Sequence, residues 1–182
     1  MKYIIEHLES RLYKWSILEY QNISSIVGKR NLIFTNTSSN KLKKFGKVIK
    51  KSLKELNLDN VCVLDPFAKR KLKPEDKDKF DYLVFGGILG TNPASGRTKK
   101  ELGNKRFERR NLGKKQMPTD NAVYVAKKII EGTPIEKIKF KDGIELELKE
   151  GESIFLPFRY VIVNGKPLVP KNLITHLNKK SF

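Results

Sequence analysis

The sequence predicts an α/β fold, a mostly parallel sheet with helices on both faces, followed by a small β-rich C-terminal appendage. Three observations predict it. Short aliphatic and aromatic runs alternate with helical patterns in the order β-α-β-α-β…β…α, an order that needs right-handed crossovers and so parallel pairing. Two unusual segments, Phe85-Gly86-Gly87-Ile88-Leu89-Gly90 and Leu112-Gly113-Lys114-Lys115-Gln116-Met117-Pro118-Thr119, fall directly after a strand and directly before a helix. Ligands of open parallel sheets bind at such places, beyond the carboxyl ends of the strands. From Thr133 onward the texture changes to β-rich runs punctuated by Asp142-Gly143 and Asn164-Gly165, dipeptides that favour tight hairpin turns.

Taken in order, residues 2–7 are rich in Ile and Tyr and read as the first strand. Leu12, Trp15, Tyr20, Ile23 and Val27 recur at near-helical spacing, and Gly28 supplies a stop. Residues 31–35 form a second strand. Leu42, Phe45, Ile49, Leu53 and Leu56 recur at spacings of three and four, which predicts an amphipathic helix with its lysines outward. Residues 61–65 and 82–85 are the third and fourth strands, separated by a charged, proline-interrupted loop over 69–79. Residues 122–130 read as a further helix, with Thr119 as N-cap and Gly132 as stop. Residues 138–140 with 144–148, and 159–163 with 166–169, predict two hairpins. The division expected is a core over 1–132 and an appendage over 133–182 packed on it.

Composition narrows the function. A chain of 182 residues, 38% hydrophobic and 32% charged, suits one compact domain with a small appendage. No apolar run approaches the ~20 residues of a membrane helix. Glu6, His7 and Glu9 interrupt the opening apolar run, so it does not read as a secretory signal. Cys62, the single cysteine, lies in Val61-Cys62-Val63-Leu64 and reads as an inert core residue. With His7 and His176 far from it in sequence, no metal site is expected. The cytoplasm is the expected compartment. Lys and Arg total 38 against 20 Asp and Glu, a formal charge of +18; such a surface attracts nucleic acid, or simply carries solvated lysines.

The first glycine segment is apolar apart from its backbone, so its hydrogen-bonding power lies in main-chain groups that glycine lets approach a ligand closely. It suits a flat, neutral ring such as adenine. It misses the phosphate-binding loop: five residues separate Gly90 from Gly96, Arg97 stands before Thr98 in place of Lys, and Pro93 interrupts. The second segment offers Met117 for soft packing and a helix start at Thr119-Asp120.

Other stretches go with these: Tyr3-Ile4-Ile5-Glu6-His7 with Glu9, Trp15, Leu18-Glu19-Tyr20, Val61 through Pro66, Tyr82 through Gly90 and Arg97-Thr98. Arg109-Arg110, Leu112-Gly113, Lys115-Gln116-Met117, Thr119-Asp120 and Pro157-Phe158-Arg159-Tyr160 continue the set. On these residues the chain resembles the SPOUT methyltransferases. Within them it is similar to the family of the eukaryotic SPOUT protein-arginine methyltransferase that acts on a small-subunit ribosomal protein. The resemblance implies a C-terminal trefoil knot and S-adenosylmethionine as cofactor. It implies cofactor contacts at Gly86, Gly87, Ile88, Leu89 and Gly90, at Leu112, Gly113, Gln116, Met117 and Thr119, and at Leu64 and Arg97. The chain departs from the family at Thr91-Asn92-Pro93-Ala94-Ser95, where acidic and proline residues are usual, and at Pro118, where threonine is common.

A guanidinium stays protonated to a pKa above about 12, so methylating it requires carboxylates that hold the fork and take its proton. Glu6, Glu9 and Asp65, at or just beyond strand ends, are the candidate catalytic residues. The favoured acceptor is an arginine of a ribosomal protein or ribosome-bound substrate, with RNA contact through the basic surface. An RNA methyltransferase acting on rRNA or tRNA, and a non-catalytic ribosome-associated module, are the alternatives. Monomer and knot-mediated homodimer both remain open.

Overall fold

A computed structural model describes residues 1–88, 96–102, 106–149 and 151–178, with the backbone alone of Arg97 and Lys99. Strand β1 (Lys2–His7) pairs in parallel with β2 (Leu32–Thr35) on one side and β5 (Tyr82–Gly87) on the other. Beyond β2 lies β3 (Lys47–Val48), and beyond β5 lie β4 (Val61–Leu64) and then β6 (Glu108–Arg110). The result is a six-stranded parallel sheet of order β3-β2-β1-β5-β4-β6.

Burial on both faces is what a central parallel strand requires, and residues 3–7 are all buried. Ile5 packs with Leu83, Phe85, Cys62 and Leu64 under the helices α1 (Lys14–Val27) and α3 (Thr119–Ile130), through Tyr20, Ile23, Val123, Ala126 and Ile129. Ile4 faces the opposite way, with Val61, Val63 and Val84, under Leu53, Phe107 and Leu102 of α2 (Arg97–Leu102). Cys62 is fully buried, and burial pushes its thiol up to about 12, which keeps it inert. Gly28 (φ 81) and Gly132 (φ 99) end α1 and α3 as expected. Thr119 is the first residue of α3 rather than its cap, a place taken by Pro118.

The helix expected over 42–56 does not form. The segment makes a short turn at Asn40–Leu42, strand β3, and a second turn at Leu53–Glu55. The reason lies at Gly46, where an added Cβ would come 2.6 Å from the Leu32 carbonyl oxygen. Backbone meets backbone there. Leu42 and Phe45 then enter the core under α1, while Leu53 enters the other core across the sheet. A straight helix cannot serve two faces of one sheet. Strand β6 was not foreseen, because Glu108-Arg109-Arg110 has no apolar alternation.

The appendage is an antiparallel sheet of β7 (Phe140–Lys149), β8 (Glu152–Val163) and β9 (Lys166–Pro167), followed by α4 (Leu173–Asn178). Asn164-Gly165 closes β8 onto β9 with both residues at positive φ, as the dipeptide predicts. Asp142-Gly143 does not turn. It lies inside β7, where the pairing shifts opposite Pro157, which has no N–H to give. Phe155 covers Gly143 so closely that a Cβ would lie 2.6 Å from its ring. The chain reverses instead around Gly151 (φ 77).

Among the described residues no helix is long and apolar enough to cross a membrane. The knotted threading implied by the resemblance depends on the path through 89–95 and 103–105, outside the described residues.

Candidate active site

The carboxyl ends of β4 and β5, the loop over 112–118, the starts of α1 and α3, and β8 surround one cavity of about 310 Å³. Its apolar walls are Leu64, Phe85, Leu112, Met117 and Ala122, with Gly86, Gly113 and Gln116 between them. Parallel strands stop together at this edge, so their end residues and following loops meet here. The appendage completes the wall with Phe158 and Tyr160. It also clamps the loop, because the Arg159 N–H donates to the Gln116 carbonyl oxygen at 2.9 Å. Asp142 holds both Arg159 and Lys115, at 2.6 Å each, and those cations keep its carboxyl well below the usual range.

Two buried carboxylates stand in the wall. Asp65 follows β4; its Oδ1 accepts the Phe67 N–H at 2.9 Å, and its Oδ2 accepts from the Arg109 guanidinium at 3.1 Å. Glu19, on α1, accepts from the Trp15 indole at 2.9 Å. Burial first, and then the neighbouring Asp120, push the Glu19 carboxyl up to about 8. Asp120, fully buried on α3, is held by Asn22 Nδ2 at 2.7 Å and by Asn121 through its backbone N–H at 2.8 Å and its side chain at 3.0 Å. Asn121 also accepts the Val161 N–H and donates to the Leu168 carbonyl oxygen. The buried pair is thereby tied to the appendage.

Of the residues expected to act, Leu64, Asp65, Gly86, Ile88, Leu112, Gly113, Gln116, Met117 and Thr119 line the cavity. Leu89, Gly90 and the Arg97 side chain lie outside the described residues. Glu6, Glu9 and Gly87 do not line it. Glu6 is committed elsewhere: it accepts from the Thr35 hydroxyl and, at 3.0 Å, from the Leu53 N–H. Its side chain therefore stitches β1 to β2 and to the turn at 53–55, and burial raises its pKa. His7 is buried with its ring nitrogen on the Tyr20 hydroxyl at 2.9 Å. Glu19 and Trp15 were missed as site residues. The available signal was a carboxylate between Leu18 and Tyr20 on a buried helix face, four residues after an indole.

The family described as SFM1-like protein arginine N-methyltransferase matches residues 2–182. The chain belongs to this family. It is 40% identical over 205 positions to protein arginine N-methyltransferase SFM1 of Saccharomyces cerevisiae, covering 100% of this chain and 96% of that protein. Crystal structures of yeast SFM1 complexed with SAH and with SAM each superpose with a TM-score of 0.87, at 39% and 40% identity. They cover 97% and 99% of this chain and 94% and 91% of those chains. A Trm10 of Thermococcus kodakaraensis, with TM-score 0.56 and 18% identity over 75% of this chain and 96% of that one, shares the fold.

For this SFM1-like chain the two glycines of the first segment separate in role. A Cβ on Gly86 would meet Ile88 and Thr98 at 3.1 Å beside the cavity, whereas one on Gly87 would lie 2.3 Å from the Tyr20 hydroxyl and 2.9 Å from Ile5. Gly87→Val is therefore expected to destabilise the fold by about 3 kcal/mol or more, as overpacking of a closed core does, rather than to block the cavity selectively. A thermal melt within a few degrees of wild type would contradict this assignment.

Proposed function

We propose that this chain transfers a methyl group from S-adenosylmethionine to an arginine of a ribosomal protein in the cytoplasm. Residues 1–132 form the catalytic core, and the appendage over 133–182 completes the wall. The observation that carries the reading is the pair of buried carboxylates, Asp65 and Glu19, in one cavity, because a guanidinium needs them and a nucleobase does not. The same cavity suits the donor, with apolar walls for an adenine, a glycine edge, and a carboxylate for a cation.

The donor, when bound, supplies a methyl group on a sulfonium. The chain's own contribution is alignment and proton management. Asp65 already holds one guanidinium, that of half-exposed Arg109, and is assigned to grip the acceptor's fork. Glu19 is assigned to take the proton lost by the acceptor nitrogen as its new bond forms. Trp15 and Thr119 orient that carboxylate.

The basic surface supports a second role, docking on rRNA beside the substrate. A neighbouring opening is lined by Phe67, Lys69, Arg70 and Arg109, and Phe67 is 54% exposed. Base stacking on an aromatic between cations is a common mode of single-strand binding. The test is incubation with labelled S-adenosylmethionine and ribosomes. Label is expected as methylarginine in protein, with assembled particles preferred over free protein. Label found only in nuclease-sensitive material would replace this reading with RNA methylation.

A further inference from the structure

Buried carboxylates in proteins are ordinarily paired with a cation or bound to a metal. Among the described residues Glu19 and Asp120 have neither. Among the described residues no ion pair includes either of them, and no group of side chains could hold a metal ion. The groups facing Glu19 are Trp15 and Tyr20 on its own helix, Thr119 and Asp120 on α3, and Tyr160 on β8. Glu9 adds a further negative charge beyond Tyr20. Across the cavity, Asp65 is already matched to Arg109, and Lys115 to Asp142. Among the described residues every donor to the Glu19–Asp120 pair is therefore neutral: an indole, a hydroxyl, backbone N–H groups and the amides of Asn22 and Asn121.

The two members are not equivalent. Burial raises the Asp120 carboxyl, and its three hydrogen bonds from Asn22 and Asn121 oppose that rise by favouring the charged form. Glu19 opens on the cavity, where a ligand can supply a cation that none of the described residues provides. We infer that Glu19 and Asp120 share one proton before the donor binds, carried on Glu19, and that this proton leaves when the cationic sulfonium donor binds. The pair would thereby distinguish the methyl donor from its demethylated product, which lacks the sulfonium charge. This rests on the donor assignment above, not on the identity of the acceptor. After transfer the sulfur is neutral and the acceptor has lost one proton. Glu19 regains a proton, so the charge that favours the donor is gone when the product must depart.

The sign follows from the raised carboxyl. With burial and Asp120 pushing the Glu19 carboxyl up to about 8, it is neutral below that pH and must ionise to meet the donor. Donor affinity should therefore rise with pH up to about 8 and then level, while product affinity should not gain from that ionisation. Both ligands carry amino and carboxylate groups, but the sulfonium lowers the donor's ammonium pKa, so the pH profile of the affinity ratio is read against the same profile in Glu19→Gln, where those ligand titrations persist. Calorimetry with S-adenosylmethionine and S-adenosylhomocysteine reads that ratio directly. Between about pH 6.5 and 8.5 the preference for donor over product should increase roughly tenfold, since each unit of coupled titration is up to tenfold. At neutral pH, donor binding should release close to one more proton than product binding, seen as a difference in buffer-dependent heat.

Glu19→Gln mimics the neutral carboxyl and should keep the fold while losing the rise that Glu19 contributes, leaving only the ligands' own titrations. Asp120→Asn removes the like charge and should move the rise to lower pH. A ratio flat with pH in wild-type protein, or an unchanged slope in Glu19→Gln, overturns the inference. Absence of binding by both ligands would instead count against the donor assignment on which it rests.

Discussion

Asp65→Asn should reduce methyl transfer to arginine by roughly two to three orders of magnitude, while donor affinity stays within a few-fold. Asparagine preserves the shape of Asp65 and retains an oxygen for the Phe67 N–H, a bond of 2.9 Å that holds the turn after β4. What it removes is the negative charge. Asp65 is almost fully buried, so that charge acts in a low dielectric and its loss weighs heavily on a cationic acceptor. Arg109 is also released from its 3.1 Å contact, but it is part-exposed and can be solvated. The measurement is single-turnover methylation alongside calorimetric donor binding. An unchanged rate would confine Asp65 to holding Arg109 and the turn.

The other large effect is expected at Ala122, on the first turn of α3 facing the cavity. Ala122→Trp should fill much of the roughly 310 Å³ space. Donor affinity should fall at least about 100-fold, some 2.7 kcal/mol. The fold should survive, because the new ring enters an open cavity rather than the closed core beneath Val123 and Ala126. The contrast with Gly87→Val is diagnostic: one variant should lose ligand with little change in melting, the other should lose stability. Donor affinity within a few-fold of wild type in Ala122→Trp would mean that the donor lies elsewhere.

Much of this protein was determined by local pattern in the sequence. The buried parallel strands read as continuous apolar runs, Gly28 and Gly132 announced two helix ends, and Asn164-Gly165 announced a turn. The two glycine-bearing segments read as ligand loops because strand order alone puts them at one edge of the sheet, and Leu64, Gly86, Leu112 and Met117 do meet there. These features depend on contacts between residues close in sequence, or on rules of chain connection that hold for any parallel sheet.

The tertiary structure decided what depends on partners far away. Leu42 to Leu56 has helical spacing, yet Gly46 must lie against the Leu32 carbonyl and its apolar residues serve opposite faces. Asp142-Gly143 has the composition of a turn, yet it pairs along β8 with Phe155 over the glycine. Charge placement was hidden most completely. Glu6 and Glu19 are both glutamates among apolar residues, and the indole four positions before Glu19 is the one local feature that sets it apart. Glu6 points to Thr35 and Leu53 on the far side of β1, where its hydrogen bonds are spent. Glu19 meets Asp120 from 101 positions away with no cation between them, because α1 and α3 pack side by side on one face of the sheet. A carboxylate's function depends on what surrounds it in space, and only the folded chain supplies those surroundings.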